Sequence, residues 1–309
     1  MKSLLRKWLV FSLILMVFTS VPLKAFAQVD TKNKQSYQEL KAIIYQHLTN
    51  REPYFEITFM GPGRIDKTKS FVEQAFREIY NNDKYLLHSI KAYVVGGAVY
   101  KDRIIIGFKM EYHTTKEQEA FVDSRVKQIV KAIIKSGMND HEKVKAIHDY
   151  IVSHVEYDNS LKEFSAYAAL TKGKTVCNGY ALLANKMLKE AQIDNRIVSG
   201  YAVNTTGKPE PHAWNLVKIE GKWYHVDCTW DDLGKGNQVF YPYYALSDSE
   251  IKHNHQWVPD MVPKASSLYI KELEIKKGKD SNRKDFYNSL IINIARDISY
   301  RNTGYRFNW

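Results

Sequence analysis

Hydrophobic and polar residues follow two different periods along this chain, and the period predicts where helices and strands lie. Residues 34–50 and 66–82 have apolar positions at helical spacing, as Ala75 and Ile79 illustrate. Near them are three β-rich runs: 54–60, 89–100 and 103–112. We therefore predict a small α/β module over residues 28–115, in which no chemical motif is recognisable.

The pattern then becomes helical again before it changes to strands. Residues 117–135 predict one long helix, and Asn139 or Asp140 begins the next. A third helix is predicted to begin at Cys177, because small and apolar residues recur at helical steps after it. The period then falls to two in three predicted strands: 196–201, 212–219 and 222–228. Helices followed by an antiparallel sheet predict an α+β fold, with the helix that carries the cysteine packed on the sheet.

Four segments follow from these patterns. They are a signal peptide at 1–27, the α/β module at 28–115, a core domain at 116–265 and a C-terminal extension at 266–309. Within the extension, residues 268–275 are predicted as a strand and residues 284–298 as a helix. The roles of the module and of the extension do not follow from the sequence.

The first residues have the three-part pattern of a secretory signal. A basic head precedes the apolar run Trp8–Val21, and Ala25-Phe26-Ala27 supplies the small residues that a signal peptidase recognises. We therefore predict cleavage near Ala27 and a mature protein that is secreted or held at the cell surface or cell wall. The apolar run is short for a membrane span, so an uncleaved anchor is the less favoured alternative. No stable membrane insertion is expected after cleavage.

The net charge of the chain is basic, and the basic residues are scattered. The 309 residues carry a formal net charge of +11, and loss of Lys2, Arg6, Lys7 and Lys24 with the predicted signal would leave about +7. A basic exported protein is attracted to anionic surfaces such as wall polymers. Because the basic residues form no block or arm, the composition argues against a nucleic-acid-binding protein.

Cys177 is the first candidate for chemistry. A thiol is a strong nucleophile as the thiolate, and both a helix N-terminus and a nearby imidazolium stabilise that form. Cys177 lies at the predicted start of a helix, where backbone N–H groups also point toward an oxygen that develops beside the sulfur. His212 begins a predicted strand and Asp227 lies on its hairpin partner, so the sheet brings imidazole and carboxylate together. We predict that Cys177 is the nucleophile, His212 its base and Asp227 the group that orients the histidine.

Three sequence blocks around these residues resemble the motifs of a known superfamily. The blocks are Val176–Ala181, His212–Asn215 and Gly221–Asp232, and together they are similar to the transglutaminase-like superfamily. The resemblance covers the predicted core domain and implies a secreted bacterial member with a papain-like fold. It also implies acyl transfer through a thioester at Cys177, with protein or peptide amides as substrates. No cofactor and no metal are implied.

Two features depart from the animal transglutaminases of this superfamily. Those enzymes have an oxyanion donor on a tryptophan upstream of the cysteine, whereas here no tryptophan lies between Trp8 and Trp214. Tyr157 or Tyr167 is the suggested substitute. No calcium-binding loop is recognisable in the sequence, so regulation by calcium is not implied.

Two cysteines in an exported protein first suggest a disulfide, here between Cys177 and Cys228. If residues 222–228 are one strand, Asp227 and Cys228 point to opposite faces. Cys228 then faces away from a site that contains both Asp227 and Cys177. The sequence therefore favours a free thiol at Cys177.

Other histidines offer alternatives to His212. His225 shares a strand face with Asp227 and competes with His212 for the role of base, although the motif match favours His212. His253 and His255, with Asp260 nearby, offer too few ligands for a metal site. We therefore predict that His253 and His255 are surface residues.

The acyl acceptor does not follow from the sequence. Attack on the acyl-enzyme by a lysine-type amine gives a cross-link, whereas attack by water gives deamidation or proteolysis, and the shape of the cleft decides between them. An alternative from another class of protein is a non-catalytic surface module that retains the scaffold. All three positions of the predicted triad are filled, which favours the enzyme.

Overall fold

The structure is a computed structural model that describes residues 27–30, 34–60, 65–203, 207–233 and 238–302. The chain divides into two compact units between Glu117 and Gln118. Apart from Ala27, the predicted signal peptide lies outside the described residues. Among the helices of the described ranges, none is both long enough and apolar enough to cross a membrane.

The first unit is an α/β structure built on a four-stranded sheet. Its elements are β1 (Ala27–Asp30), α1 (Lys34–Thr49), β2 (Tyr54–Met60), α2 (Ile65–Asn82), α3 (Lys84–His88), β3 (Ile90–Val99) and β4 (Arg103–Tyr112). The sheet order is β1-β2-β4-β3, in which β1 is parallel to β2 and the other neighbours are antiparallel. Leu40, Ile44 and Leu48 recur every turn along α1 and join Phe55 and Phe108 of the sheet in one hydrophobic core.

The second unit contains a second four-stranded sheet and most of the helices. Its elements are α4 (Lys116–Ile133), α5 (Asp140–His154), β5 (Glu156–Tyr157), α6 (Ala166–Lys172), β6 (Lys174–Thr175), α7 (Cys177–Glu190), β7 (Asn195–Val203), β8 (Pro209–Ile219), β9 (Lys222–Val226), α8 (Cys228–Asp231), α9 (Asp248–Ile251), β10 (His255–Trp257), α10 (Tyr269–Lys279) and α11 (Lys284–Asn302). The sheet order is β10-β7-β8-β9, and all of its neighbours are antiparallel.

Helix α7 packs on this sheet, chiefly against β8. Asn215 of β8 donates its Nδ2 to the carbonyl oxygen of Ala181 at 3.0 Å, which ties the first turns of the helix to the strand. Gly179 has the Thr175 side chain where a Cβ would lie, so a larger residue would collide with the chain that enters the helix. The predicted α+β class is confirmed, with the helix that begins at Cys177 packed on an antiparallel sheet.

Two secondary-structure predictions are wrong. Residues 268–275 belong to helix α10 and not to a strand. The apolar residues in this range had suggested alternation, but only Tyr269 and Leu273, one helical turn apart, are buried, whereas Ile275 is half exposed. Burial every four residues is the period of a helix that covers one face of a core.

The strand predicted over 222–228 ends two residues early, at Val226. Asp227 is instead the N-cap of α8, because its side chain accepts hydrogen bonds from the backbone N–H groups of Thr229 and Trp230. Strand alternation therefore does not decide where Cys228 points. Both cysteines lie in the described part of the chain, and both are free thiols.

Candidate active site

Cys177 is the first residue of α7 and opens onto a pocket in the second unit. The pocket is lined by Tyr157, Cys177, Ala202, Glu210, Pro211, His212, Thr229 and Trp230. The turn that leads into the helix is fixed from the preceding loop: Val176 donates its backbone N–H to the carbonyl of Glu163 at 2.8 Å. Asn178 donates its side-chain amide to the carbonyl of Phe164 at 2.8 Å. The thiol is partly accessible, as a nucleophile must be.

His212 lies on β8 and is held between Cys177 and Asp227. Its Nε2 is 2.6 Å from Oδ2 of Asp227. Burial disfavours the charged ring, but the Asp227 carboxylate outweighs burial, and together with a hydrogen bond to Cys177 it raises the pKa of His212 to about 10. The imidazolium is therefore the stable form of His212 at neutral pH.

The Asp227 carboxylate is fully buried and accepts four hydrogen bonds. Oδ1 accepts from the backbone N–H groups of Thr229 at 3.0 Å and Trp230 at 3.2 Å. Oδ2 accepts from His212 at 2.6 Å and from His255 at 3.0 Å. Burial alone would raise the pKa of Asp227, but the charge of His212 and these hydrogen bonds hold it well below its usual range.

His255 was not identified from the sequence as part of this site, and its prediction as a surface residue is wrong. The side chain is buried, and its Nε2 faces Oδ2 of Asp227. Burial lowers the pKa of His255 to about 4 in spite of that carboxylate, so the ring is neutral near pH 7. His253, two residues earlier, is exposed as predicted.

His212, Asp227 and His255 also bring three potential metal-ligand atoms within 4.8 Å of one another. The N–O distances of 2.6 and 3.0 Å are those of hydrogen bonds. A zinc ion needs its own bonds of about 2.0–2.2 Å to each atom in a tetrahedral arrangement, for which the two atoms of the shorter pair lie too close together. The three side chains in their present positions fit a hydrogen-bond network better than an ion.

The other residues that the sequence raised have different positions. Tyr157 lines the pocket beside Cys177, and burial raises the pKa of its hydroxyl, which therefore stays protonated. Tyr167 packs edge-on against Phe121 instead. His225 is buried away from the pocket lining, where its Nδ1 accepts from Trp214 and its Nε2 lies 2.8 Å from Asp248.

The pocket thus combines a thiol, a histidine that contacts it and a buried carboxylate that contacts the histidine. This is the general arrangement of an activated nucleophile, its base and a group that orients the base. Helix α7 begins at the thiol, so the backbone N–H of Cys177 and the positive end of the helix dipole lie beside the sulfur, while the N–H groups of Gly179 and Tyr180 donate to the Val176 carbonyl. An oxygen that becomes negatively charged beside the sulfur would find a donor there.

Comparison with known proteins relates part of the chain to a protein superfamily. Residues 127–228 match the model of the transglutaminase-like superfamily, a range that includes Cys177, His212 and Asp227. The chain is 34% identical over 122 residues to the kyphoscoliosis peptidase of Mus musculus and 33% identical over 120 residues to that of Homo sapiens. Each match covers 35% of this chain and only 18% of the length of the curated relative.

Two solved structures are similar to parts of the chain at low TM-scores. A proposed cysteine protease from Cytophaga hutchinsonii has a TM-score of 0.31 and 18% identity, over 45% of this chain and 65% of that one. A structure described as a TGase has a TM-score of 0.34 and 16% identity, over 68% of this chain and 61% of that one. The resemblance drawn from the three sequence blocks is confirmed by the family match, which relates residues 127–228 to the transglutaminase-like superfamily.

Proposed function

We propose that this chain is a thiol-dependent enzyme that transfers or hydrolyses the acyl group of protein or peptide amides. One observation carries the proposal. Cys177 opens α7 in the same pocket as His212, and His212 Nε2 is 2.6 Å from Oδ2 of the buried Asp227. A structural histidine has no need of both a partly exposed thiol and a buried carboxylate as partners.

In the first half of the reaction, the Cys177 thiolate attacks the carbonyl carbon of an amide and a C–S bond forms. The negative oxygen of the tetrahedral intermediate is stabilised by the backbone N–H of Cys177 and by the positive end of the α7 dipole. Tyr157 is a candidate second donor, because its hydroxyl stays protonated. The intermediate collapses as the C–N bond breaks, and the His212 imidazolium gives its proton to the departing amine or ammonia.

In the second half, the thioester is attacked by water or by a primary amine. Neutral His212 takes the proton of the attacking group, and the sulfur leaves as the thiolate. Asp227 remains ionised throughout and stabilises the imidazolium each time it forms. The same residues thus support hydrolysis and cross-linking, and the acceptor that reaches the pocket decides which occurs.

The proposal is tested by incubating glutamine-containing peptides with the protein and an excess of a primary amine, followed by mass spectrometry. We expect amine incorporation, deamidation or cleavage that is absent from the Cys177→Ala variant. The mass shift identifies the acceptor.

Cys228→Ala is the matched control, because Cys228 is the second cysteine and is fully buried. That variant should retain the product and should still be alkylated once, at Cys177. Peptide turnover that survives Cys177→Ala would contradict thiol catalysis. No turnover of any peptide by a protein whose Cys177 also reacts as an ordinary thiol would support the non-catalytic binding module.

A further inference from the structure

We propose that His255 is a positioning residue, which holds the Asp227 carboxylate in the orientation that His212 requires. The inference deepens the proposed function, since it assigns a fourth side chain to the same site. It stands on the contacts of the buried Asp227 oxygens and on the packing of strand β10.

The two Asp227 oxygens are fixed by different parts of the chain. Oδ1 is held by the first turn of α8, through the N–H groups of Thr229 and Trp230. These bonds leave the carboxylate free to pivot about Oδ1. Oδ2 lies 2.6 Å from Nε2 of His212 and 3.0 Å from Nε2 of His255, so among the described residues His255 is the contact besides the base that resists this pivot.

The direction of this hydrogen bond follows from the chemistry of the partners. An ionised carboxylate only accepts, so Nε2 of His255 carries the hydrogen. The other ring nitrogen, Nδ1, is then an acceptor and lies 2.7 Å from Oδ1 of Asn254, whose Nδ2 is 2.6 Å from the Tyr243 hydroxyl. The two acceptors are compatible once the Asn254 amide is rotated by 180°, so that Nδ2 donates to Nδ1 and Oδ1 accepts from the hydroxyl. Both ring nitrogens therefore have partners, and the ring cannot turn without losing them.

The electrostatic requirement also favours a neutral imidazole at this position. The centroids of the His212 and His255 rings are 5.4 Å apart. A second positive charge at that distance would oppose the imidazolium on His212. A neutral imidazole donates a hydrogen bond to the carboxylate without adding a positive charge, whereas a lysine or an arginine would add one.

The surrounding packing locks the ring of His255. Its neighbours are aromatic, with ring centroids of Trp230 at 4.7 Å, Trp214 at 5.0 Å and Tyr243 at 5.4 Å. Strand β10 lies close to β7 at Gly200, where any Cβ would overlap the carbonyl oxygen of Gln256. Strand β10, which carries His255, therefore packs closely against β7, and β7 pairs in turn with β8, which carries His212.

The test compares His255→Leu, which removes the donor, with His255→Gln, which retains a side-chain N–H. His253→Leu applies the same substitution to the exposed histidine of the same segment. The primary readout is the pH profile of Cys177 alkylation by iodoacetamide, measured in the Cys228→Ala background. Thermal unfolding establishes that each variant is folded, and proton NMR follows the downfield imidazole N–H shared between His212 and Asp227.

We expect the unaltered site to react with iodoacetamide well below pH 8. In His255→Leu the rate at pH 6 should fall by about 10- to 100-fold, the effect of a small misplacement in a catalytic constellation. The profile should then move toward that of an ordinary thiol, whose pKa is about 8.5, and the downfield NMR signal should be lost. His255→Gln should stay within about threefold of the parent and retain the NMR signal, and His253→Leu should match the parent.

A folded His255→Leu variant with the parental pH profile and NMR signal would overturn the proposal. Equal losses in His255→Leu and His255→Gln would reduce His255 to a packing residue and would overturn it as well. The alkylation profile needs no substrate, so the inference about His255 and the proposed function fail separately. A protein that turns over no peptide, but shows the expected shift between the two variants, would keep the positioning role. A parent that alkylates only as an ordinary thiol would contradict both.

Discussion

The single residue Asp227 has two roles: it contacts the two imidazoles of the site, and it caps helix α8. Its Oδ2 contacts the imidazoles of His212 and His255, and its Oδ1 closes the first turn of α8. The contact with His212 requires a negative charge, because the carboxylate stabilises an imidazolium. The cap requires only an acceptor atom, which asparagine supplies equally well at an N-cap.

Substitutions at Asp227 should therefore separate activity from stability. Asp227→Asn should lower the rate of Cys177 alkylation at pH 6 by at least ~100-fold, because the imidazolium loses its counter-charge. Its free energy of unfolding should change less than that of Asp227→Ala, which also loses the cap at about 1 kcal/mol. Both variants take the Oδ2 acceptor away from the buried imidazoles of His212 and His255, at about 1–3 kcal/mol, so the cap is the difference between them.

The measurement is urea unfolding beside the alkylation rate for both variants. Equal loss of stability in the two would show that the cap contributes little. Retention of reactivity at pH 6 in Asp227→Asn would remove the carboxylate from the proposed mechanism.

The residues of the predicted triad could be proposed from the sequence because each stands in a distinctive local block. The pattern predicted a helix that begins at Cys177, and this helix is present. His255 has no such signal. It lies on a strand of only three residues, 28 positions after Asp227, and its importance depends on a tertiary contact that local spacing does not encode.

At the scale of elements, the close pairing of β10 with β7 brings His255 to the site. Gly200 of β7 pairs with His212 on one side and with Trp257 on the other. The strand pattern of β7 was readable in the sequence, but the third neighbour, β10, was not. Three residues are too few to show a period.

Gly200→Ala should therefore disturb the site from a distance. The new methyl group would overlap a backbone carbonyl that has no rotamer to move to, so β10 must shift. We expect a loss of about 1–3 kcal/mol in the free energy of unfolding and a lower alkylation rate at pH 6.

Gly278→Ala is the matched control for this substitution. Gly278 lies in helix α10, and a Cβ there would meet no atom within 4 Å. An alanine in a helix should stabilise the protein by roughly 0.5–1 kcal/mol and leave alkylation unchanged. Urea unfolding and the alkylation rate are measured for both variants. A Gly200→Ala protein as reactive and as stable as the parent would show that the close packing of β10 on β7 is not important for the site.

At the scale of the whole molecule, buried histidines with opposite pKa shifts should shape the dependence of stability on pH. The pKa of His255 is lowered to about 4, chiefly by burial. Between pH 6.5 and 4, the unfolded chain therefore takes up a proton that the folded chain refuses, and stability falls as the pH falls.

His212 acts in the other direction. Burial opposes its charged form, but Asp227 raises its pKa to about 10, so the folded chain keeps a proton that the unfolded chain loses above pH 6.5. Its contribution is fully present below pH 6.5 and is lost as the pH rises through 10. Within the range in which histidines titrate, we expect the free energy of unfolding to be greatest near pH 6.5.

Urea unfolding at several pH values tests this expectation. Each differential proton changes the free energy of unfolding by up to about 1.4 kcal/mol per pH unit. His255→Gln should flatten the acid side of the curve, whereas His253→Gln, at an exposed position, should leave it unchanged. An acid slope that is identical in the parent and in His255→Gln would show that His255 titrates alike in the folded and unfolded chains.

The fold could be predicted from the sequence wherever one face of an element is buried over several turns. The five predicted elements of the first unit differ from the observed bounds by at most one residue, whereas the short elements β1 and α3 were not predicted. The errors fall where a short range fits two periods. Residues 268–275 have apolar side chains compatible with alternation, and only the burial of Tyr269 and Leu273 distinguishes the helix.

The double engagement of Asp227 would also decide the order in which a descendant lineage loses its residues once the chemistry is no longer selected. Cys177 adds one small side chain to an accessible pocket, so alanine or serine in its place disturbs little. Loss of Asp227 lowers the free energy of unfolding more, because α8 would lose its cap and two buried imidazoles would lose their acceptor. A relative that had become a binding protein without catalysis would therefore have lost the cysteine at position 177 while it retained the aspartate at position 227.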